Sequence, residues 1–289
     1  MKDKRLYSPK YVREILDRFG FKFSKQLGQN FLIDGNIVRN IVAKAGIGKE
    51  DYVLEIGPGI GTLTEELALN CKKVVAVEID KNLLPILDET LRDYDNVEII
   101  HGDILKVDVK KLIEEKLGGG PIKVVANLPY YVTTPIIAML IEEDLNIESI
   151  TVMIQKEVAD RIVAKPGTKQ YGALTVFVNF YCDVEILLSV PKTVFMPSPK
   201  VDSAVVKLSL KKALDPVDKR IFFKVVKAAF NQRRKTILNS LASVQLDVDK
   251  STIKGILEES NIPLSARAEN LKIEDFIKIS ERLASLNIY

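Results

Sequence analysis

Short β-branched runs alternate with helical patterns between about residues 50 and 155 of the chain. Five apolar runs have the length and composition of buried strands: Tyr52–Ile56, Val74–Ile79, Val97–Ile100, Ile122–Ala126 and Ile150–Ile154. Four stretches between them have the spacing of amphipathic helices: Thr62–Leu69, Asn82–Leu91, Val109–Leu117 and Thr134–Glu142. This alternation predicts a parallel, doubly wound α/β sheet.

The pattern changes twice after this region. Ala173–Phe180, Val184–Val190 and Ala204–Leu210 lack intervening helices and predict antiparallel strands that complete the sheet. After Asp215-Pro216, apolar positions from Phe222 to Phe230 follow a period of about 3.6 residues. We therefore predict a larger α/β domain over residues 1–212, which includes a basic N-terminal extension, and a small all-helical domain over residues 213–289.

Composition narrows the class of protein. The 289 residues are 47% hydrophobic and 28% charged, which suits a core plus a smaller second domain and argues against a disordered chain. Two cysteines and one histidine leave little material for disulfides or a metal site, so we expect no metal and a cytoplasmic protein. No run approaches about 18 apolar residues, so we expect no membrane span.

The net charge of +3 is unevenly distributed. Residues 1–25 hold eight Lys or Arg against three Asp or Glu, and residues 200–240 hold eleven against three. Two basic segments beside an acidic body suggest a polyanionic partner such as nucleic acid, although lysines that merely solvate helix faces would give the same count. The donors of Arg233, Arg234 and Lys235 suit phosphate oxygens and favour nucleic acid.

A glycine-rich loop, Gly57-Pro58-Gly59-Ile60-Gly61, joins the first strand to the next helix. Glycines allow positive φ angles and close backbone approach to a ligand. A dinucleotide site would have the spacing G-x-G-x-x-G, but Thr62 stands where its third glycine belongs. Glu55 adds an acid beside the loop, which would repel a pyrophosphate and suit the ammonium and sulfonium cations of S-adenosylmethionine. We therefore predict that cofactor.

Two acids end the next strands. Glu78 ends the second strand, where a carboxylate can accept hydrogen bonds from both ribose hydroxyls. NAD sites use the same contact, so Glu78 alone does not decide between the cofactors. Asp103 follows the third strand and could accept a hydrogen bond from an adenine amino group, or serve only as a helix N-cap.

Asn127-Leu128-Pro129-Tyr130 follows the fourth strand directly. The amino group of adenine is a poor nucleophile because its lone pair is delocalised into the ring. The Asn127 side-chain oxygen and the Leu128 carbonyl can accept its two N–H bonds and draw the nitrogen toward a tetrahedral shape. Pro129 stiffens the loop, and Tyr130 offers a ring on which an extruded base can stack. The segment therefore predicts methyl transfer to an adenine amine.

These motifs resemble the KsgA/RsmA family of small-subunit ribosomal RNA adenine dimethyltransferases. The match runs nearly end to end and includes Gln29–Leu32, Leu54–Gly59, Glu78–Asp80, Gly102-Asp103, Asn127–Tyr130, Gln155–Arg161, Phe195–Ser203 and Phe230–Lys235. The resemblance implies a class I, Rossmann-like methyltransferase domain with a helical C-terminal domain. It also implies two methyl groups on N6 of each of two adjacent adenosines, in the 3′-terminal hairpin loop of small-subunit rRNA, as a step in small-subunit biogenesis.

The resemblance also implies roles for individual residues. Asn30 and Leu32 would contact the methionine end of the cofactor, and Gly57, Glu78, Asp103 and Asn127 would make the remaining cofactor contacts. Phe195 would be a second aromatic residue over the target base, or else a core phenylalanine. The expected partner is rRNA within the immature small ribosomal subunit, the expected product S-adenosylhomocysteine, and the expected protein a monomer.

Four other functions compete with this interpretation. A large-subunit rRNA methyltransferase of the antibiotic-resistance type would share the fold and cofactor, but Phe195–Ser203 and the basic segment Phe230–Lys235 favour the small subunit. A DNA adenine methyltransferase would more often have N-P-P-Y. A catalytically idle assembly or transcription factor would not need the intact cofactor motifs. An NAD oxidoreductase would also have a strand-end acid such as Glu78.

Overall fold

The computed structural model describes residues 5–286, except residues 25, 212–216, 233 and 244–247. The strands are β1 Phe31–Leu32, β2 Tyr52–Ile56, β3 Lys73–Glu78, β4 Val97–His101, β5 Ile122–Asn127, β6 Ile147–Gln155, β7 Cys182–Val190, β8 Phe195–Met196 and β9 Ser203–Leu210. The helices are α1 Pro9–Arg18, α2 Gly35–Ala45, α3 Thr62–Asn70, α4 Leu84–Thr90, α5 Val109–Lys116, α6 Thr133–Glu142, α7 Lys156–Ile162, α8 Ala173–Tyr181, α9 Lys219–Phe230, α10 Ile237–Ala242, α11 Lys250–Glu259 and α12 Ile273–Ser285.

Seven of these strands form one sheet, in the order β4-β3-β2-β5-β6-β9-β7. The first five are parallel to one another, and β9 pairs antiparallel with β6. The predicted parallel strands and the antiparallel strand near Ala204–Leu210 are confirmed. Because β2, β3 and β5 are parallel neighbours, their carboxyl ends meet at one edge of the sheet, where ligands bind in folds of this kind.

Apolar side chains of these strands form a continuous core. Val53, Val74, Val125, Met153 and Val205, from five neighbouring strands, are each 2% exposed or less and belong to one buried cluster. Each fully buried side chain of this type contributes about 1.5–3 kcal/mol relative to an exposed one. The core therefore holds the sheet edge, and the loops that leave it, in fixed positions.

The N-terminal extension is built into a second core cluster. Helix α1 buries Val12, Ile15 and Leu16 in that cluster. Its cations are partly neutralised nearby, because Arg5 pairs with Glu65 at 3.7 Å and Arg18 pairs with Glu89. The basic residues of this segment therefore do not all solvate the surface, because some form ion pairs with carboxylates of the same unit.

One predicted strand is wrong. Ala173–Phe180 lies in helix α8, not in a strand, although its β-branched and aromatic residues favour strands locally. A helix places Phe177, Phe180 and Tyr181 on one face, where Phe180 stacks on Phe222 at 4.5 Å between ring centres. Tertiary packing of this aromatic face therefore overrides the local preference.

The chain divides into two compact units. The first comprises residues 1–159 and 185–210, and the second residues 160–184 and 211–289. The predicted division at residue 212 differs from the observed one. Residues 160–184 group with the helical residues of the second unit, where α8 contributes its aromatic face. The predicted boundary itself falls at 212–216, outside the described residues, and stays a prediction.

The second unit is helical, as predicted for its C-terminal part. Helix α9 buries Phe222, Val225 and Val226, and Phe230 contacts Phe276 of α12 at 5.8 Å between ring centres. In the part of the chain that the structure describes, no helix is long and apolar enough to cross a membrane.

Candidate active site

A cavity opens at the carboxyl ends of β2, β3 and β5. Its empty volume is about 830 Å³, which includes space open to solvent. The lining residues come from the segments 27–32, 55–63, 78–83 and 127–130, together with Phe195. Four motifs that are distant in the sequence therefore share one space within the first unit.

The glycine loop has the backbone that the sequence predicts. Gly57, Gly59 and Gly61 have φ angles of 70°, 62° and 92°, in the left-handed region that favours glycine. A Cβ atom on Gly59 would also stand 3.0 Å from the ring of Phe31. The loop thus presents bare backbone to the cavity where a side chain would not fit.

Glu78 is held rigidly at the end of β3. Its carboxylate accepts hydrogen bonds from the backbone N–H groups of Asp80, at 2.8 Å, and Gly59, at 3.3 Å. Burial, with a smaller contribution from the charge of Asp80, raises the pKa of Glu78 to about 7, although the backbone N–H donors act in the opposite direction. This side chain is therefore an oriented acceptor on the cavity wall and exchanges its proton near neutral pH.

Glu55 is the most deeply buried acid of the cavity wall, at 1% exposed. Burial, together with the nearby charge of Glu78, raises its pKa to about 8. Its Oε2 atom has no hydrogen-bond partner among the described residues. The negative charge that the sequence suggests beside the glycine loop is therefore mostly neutralised by a proton at pH 7, until a cation comes close.

Asn127 is oriented by the N-terminal segment. Its side-chain nitrogen donates to the Asn30 carbonyl at 3.2 Å, and Asn30 in turn donates to the Gly28 carbonyl at 2.9 Å. The backbone N–H of Leu128 donates to Met153 at 3.2 Å. The Asn127 Oδ1 atom and the Leu128 carbonyl accept no hydrogen bond from the described residues, so both acceptors of the predicted pair are free.

Pro129 begins a tight turn that ends with a hydrogen bond from the Val132 N–H to the Pro129 carbonyl, at 3.2 Å. Tyr130 lies at the cavity, half-buried, and its hydroxyl bonds the Ser203 hydroxyl at 2.8 Å. Burial raises the pKa of Tyr130, so its hydroxyl stays neutral. The ring is thereby fixed at the cavity wall by a bond at its far end.

Two more predicted residues meet across a small antiparallel sheet. Strand β1 pairs with β8 so that Leu32 lies opposite Phe195. Both side chains line the cavity, and both are only 4% exposed. Phe195 is part of the core cluster as well as the cavity wall. The position fits both interpretations of Phe195, and its contact with a target base stays a prediction.

Comparison with known proteins identifies the chain. The family model described as ribosomal RNA adenine dimethylase matches residues 20–285. The chain belongs to the ribosomal RNA adenine dimethylase family. It is thus an rRNA methyltransferase, and the resemblance found in the sequence is confirmed. The family assignment argues against the oxidoreductase and the DNA methyltransferase considered above.

Two relatives with similar sequences align with this methyltransferase over almost its whole length. "Ribosomal RNA small subunit methyltransferase A" of Clostridioides difficile is 52% identical over 278 residues, which is 96% of each chain. The protein of the same name from Bacillus licheniformis is 51% identical over 286 residues, 97% of this chain and 98% of the relative.

Solved structures confirm the predicted fold class. A dimethyladenosine transferase from Plasmodium falciparum has a TM-score of 0.75 and 28% identity, covering 89% of this methyltransferase and 98% of that chain. The 23S rRNA methyltransferase ErmE has a TM-score of 0.67 and 27% identity, covering 88% and 100%. The enzyme therefore has the mixed α/β, Rossmann-like fold with a helical C-terminal region.

Some predicted residues of the methyltransferase lie away from the cavity wall. Asp103 does not line the cavity; its carboxylate accepts from the Leu105 N–H at 3.1 Å and pairs with Lys106 at 3.5 Å. Arg234 and Lys235 are exposed in the second unit, whereas Arg233 lies outside the described residues. Their predicted roles stay predictions.

The structure also shows cavity residues that sequence reasoning did not single out. Gln29 accepts a hydrogen bond from the Ser24 N–H at 2.7 Å and donates to Asp80 at 2.6 Å, which connects the N-terminal segment to the loop after β3. Ile79, 45% exposed, lines the cavity beside Glu78. Both lie inside motifs that carry the family resemblance, Gln29–Leu32 and Glu78–Asp80, but neither was given a role from the sequence. No three His, Cys, Asp or Glu side chains of the described residues are grouped as a metal site would require.

Proposed function

We propose that this enzyme uses S-adenosylmethionine to dimethylate N6 of two adjacent adenosines in the 3′-terminal hairpin loop of small-subunit rRNA. The observation that carries the proposal is one cavity in which the free acceptors Asn127 Oδ1 and the Leu128 carbonyl share space with Glu55 and Glu78. One chain supplies every acceptor and acid of the proposed reaction, so the reaction requires no more than a monomer. The substrate would be the immature small subunit in the cytoplasm, as a step in its biogenesis.

The cavity residues fit S-adenosylmethionine. The buried Glu55 oxygen that lacks a partner suits a cationic ligand, and the bare backbone of Gly57 allows close approach. Glu78 is oriented to accept hydrogen bonds from ribose hydroxyls, while Asn30 and Leu32 would contact the methionine end. When bound, S-adenosylmethionine supplies an electrophilic methyl group on a positively charged sulfur. Asp103 does not line the cavity, so a hydrogen bond from the adenine amino group to Asp103 would have to extend outside the lining residues.

Asn127 and Leu128 would prepare the target amine. The Asn127 side chain cannot rotate freely, because its nitrogen is bonded to the Asn30 carbonyl, so its oxygen is held as an acceptor. Two acceptors on the two N–H bonds of the amine localise the nitrogen lone pair and align it, which favours attack without a strong general base. Pro129 starts the turn that positions Tyr130, whose ring would stack on the extruded base.

The exposed cations of the second unit would bind the RNA backbone. Arg234 and Lys235 have no ion-pair partner among the described residues. Cations that are not neutralised by neighbouring carboxylates retain their full attraction for phosphates. Arg233, which precedes them in the sequence, would supply a third cation.

The small subunit is favoured over the large subunit by the relatives. Two proteins named for the small ribosomal subunit are 51–52% identical to this chain, whereas the 23S rRNA methyltransferase ErmE is 27% identical. Substrate choice depends on many surface contacts, so identity throughout the chain is a better guide than the shared fold.

The test uses purified enzyme, a labelled methyl donor and two substrates: small subunits that lack these methyl groups, and large-subunit RNA. We expect label only in the small-subunit RNA, and mass spectrometry of RNA fragments should locate two methyl groups on each of two adjacent adenosines. Label confined to large-subunit RNA, or to a single adenosine, would contradict the proposal.

A further inference from the structure

The turn after β5 carries two adjacent tyrosines with opposite surroundings. Tyr130 and Tyr131 occupy its two central positions, between Pro129 and Val132. Tyr130 is half-buried on the cavity wall and bonded to Ser203. Tyr131 is 60% exposed, the largest value among the exposed large hydrophobic side chains of the described residues. One ring thus faces the cavity, and the next is presented to solvent beside it.

Tyr131 lies at the rim of the cavity. Its ring carbon Cδ1 is 3.5 Å from the point where a Cβ atom on Gly28 would stand, and Gly28 lines the cavity. Gly28 has a φ of 60° and no side chain, so no Cβ atom fills the space beside the edge of the tyrosine ring. The hydroxyl of Tyr131 forms no hydrogen bond with the described residues. The ring therefore stands next to the cavity lining with most of its surface exposed.

An exposed aromatic ring beside a base pocket has the chemistry of a stacking surface. Base–aromatic stacking stabilises a bound base and needs only a π-face, not a particular hydrogen bond. Extruding one base also removes the stacking partner of its neighbour in a single-stranded loop. The neighbour therefore gains from an aromatic surface close to the pocket.

We propose that Tyr131 stacks on the nucleobase next to the target adenosine while that adenosine occupies the cavity against Tyr130. This inference rests on the proposed function, in which two adjacent adenosines react in turn. Each adenosine would occupy the rim while the other is methylated, so Tyr131 would hold the second substrate base close to the site.

The experiment compares Tyr131→Ala, Tyr131→Leu and Tyr131→Phe with the wild type on small subunits that lack the methyl groups. We expect kcat/KM for the subunit to fall about tenfold in the Ala and Leu variants, and to stay within about twofold in the Phe variant, which keeps the ring. The KM for S-adenosylmethionine should not change. Mass spectrometry should show more RNA with only one adenosine fully methylated. Ile186→Ala, at an exposed apolar residue of β7 that does not line the cavity, is the control and should have no effect.

The outcomes separate the two proposals. An active wild type with an equally active Tyr131→Ala variant would overturn the role of Tyr131 alone. A Leu variant as active as the Phe variant would show that apolar cover, not stacking, is what the position supplies, and would also overturn it. A wild type that left small-subunit RNA unmethylated would overturn the proposed function and this inference with it.

Discussion

Polar side chains have opposite environments in two parts of the molecule. They are buried in the cavity of the first unit and exposed among the basic residues of the second. In the cavity, Glu55 and Glu78 are almost fully buried, and Glu78 is held by backbone donors. In the second unit, Lys227, Arg234 and Lys235 are exposed and have no ion-pair partner among the described residues. Reaction chemistry needs atoms in fixed positions, whereas binding to phosphates needs charge that neighbours have not neutralised.

The N-terminal segment sharpens this difference. It is as basic in sequence as its C-terminal counterpart, yet Arg5 and Arg18 pair with carboxylates of the same unit. The comparison teaches that a charge count does not identify a nucleic-acid surface. Pairing, which depends on the fold, separates cations that neighbouring carboxylates neutralise from cations that remain available to an anionic partner.

The largest effect is expected in the cavity. Asn127→Ala removes one of the two acceptors for the amine, so kcat should fall by about 10²- to 10³-fold, in line with the loss of one preorganised polar contact elsewhere. RNA affinity should stay within about twofold, because the proposed phosphate contacts are made by other residues. Single-turnover methylation and a binding titration measure the two quantities.

Asn146→Ala is the matched control for that variant. It also removes a side-chain amide that donates to a backbone carbonyl, that of Gly119, but at a loop outside the cavity wall. A kcat for Asn127→Ala within about tenfold of the wild type would show that the acceptor is dispensable.

The next effect concerns the burial of Glu55. Burial raises its pKa from an ordinary value near 4.5 to about 8, so the folded state favours the neutral acid. Its contribution to stability is complete below about pH 4.5 and is lost as the pH rises through 8. We therefore expect the wild type to lose on the order of 3 kcal/mol of unfolding free energy, relative to Glu55→Gln, between about pH 5 and pH 8.5.

Urea unfolding at the two pH values without cofactor measures this difference. Glu98→Gln is the control, because hydrogen bonds from Lys116 and Lys73 lower the pKa of Glu98 and reverse the sign of its small effect. A difference between wild type and Glu55→Gln that does not change with pH would mean that Glu55 is not forced into its neutral form.

A smaller effect is expected for the exposed basic residues of the second unit. Replacing both Arg234 and Lys235 by Ala should weaken RNA binding about five-fold at moderate salt, across RNA sequences, because phosphate contacts carry no sequence information. The slope of log affinity against log salt should decrease by about 1.4–1.8, and kcat at saturating RNA should not change. An unchanged slope would show that these cations only solvate the connection between α9 and α10.

The smallest effect is expected for a paired cation. Arg18→Ala should change the salt slope by less than about 0.3 and stability by less than about 1 kcal/mol, because Arg18 is already engaged by Glu89 at the surface. The same titration and urea unfolding measure both. A slope change as large as for Arg234 and Lys235 would remove the distinction between paired and free cations.

The sequence by itself determined the alternation of strands and helices along the chain. It also determined the positions of the glycine loop and of the Asn127–Tyr130 motif. These features depend on local information: apolar periodicity, glycine at positive φ, and polar residues placed directly after buried strands. The sequence also predicted a cationic cofactor and an adenine amine as ligands. Acids stand beside the glycine loop, and an amide and a carbonyl acceptor follow the fourth predicted strand.

Only the tertiary structure decided the rest. Whether Ala173–Tyr181 is a helix depended on an aromatic face that packs on Phe222 and Phe223, not on its own propensity. The pairing of Leu32 with Phe195, the orientation of Asn127 by Asn30, and the position of Asp103 outside the cavity wall all join or separate residues far apart in the chain. The same holds for the proton on Glu55, because its pKa is set by the burial that the folded chain imposes.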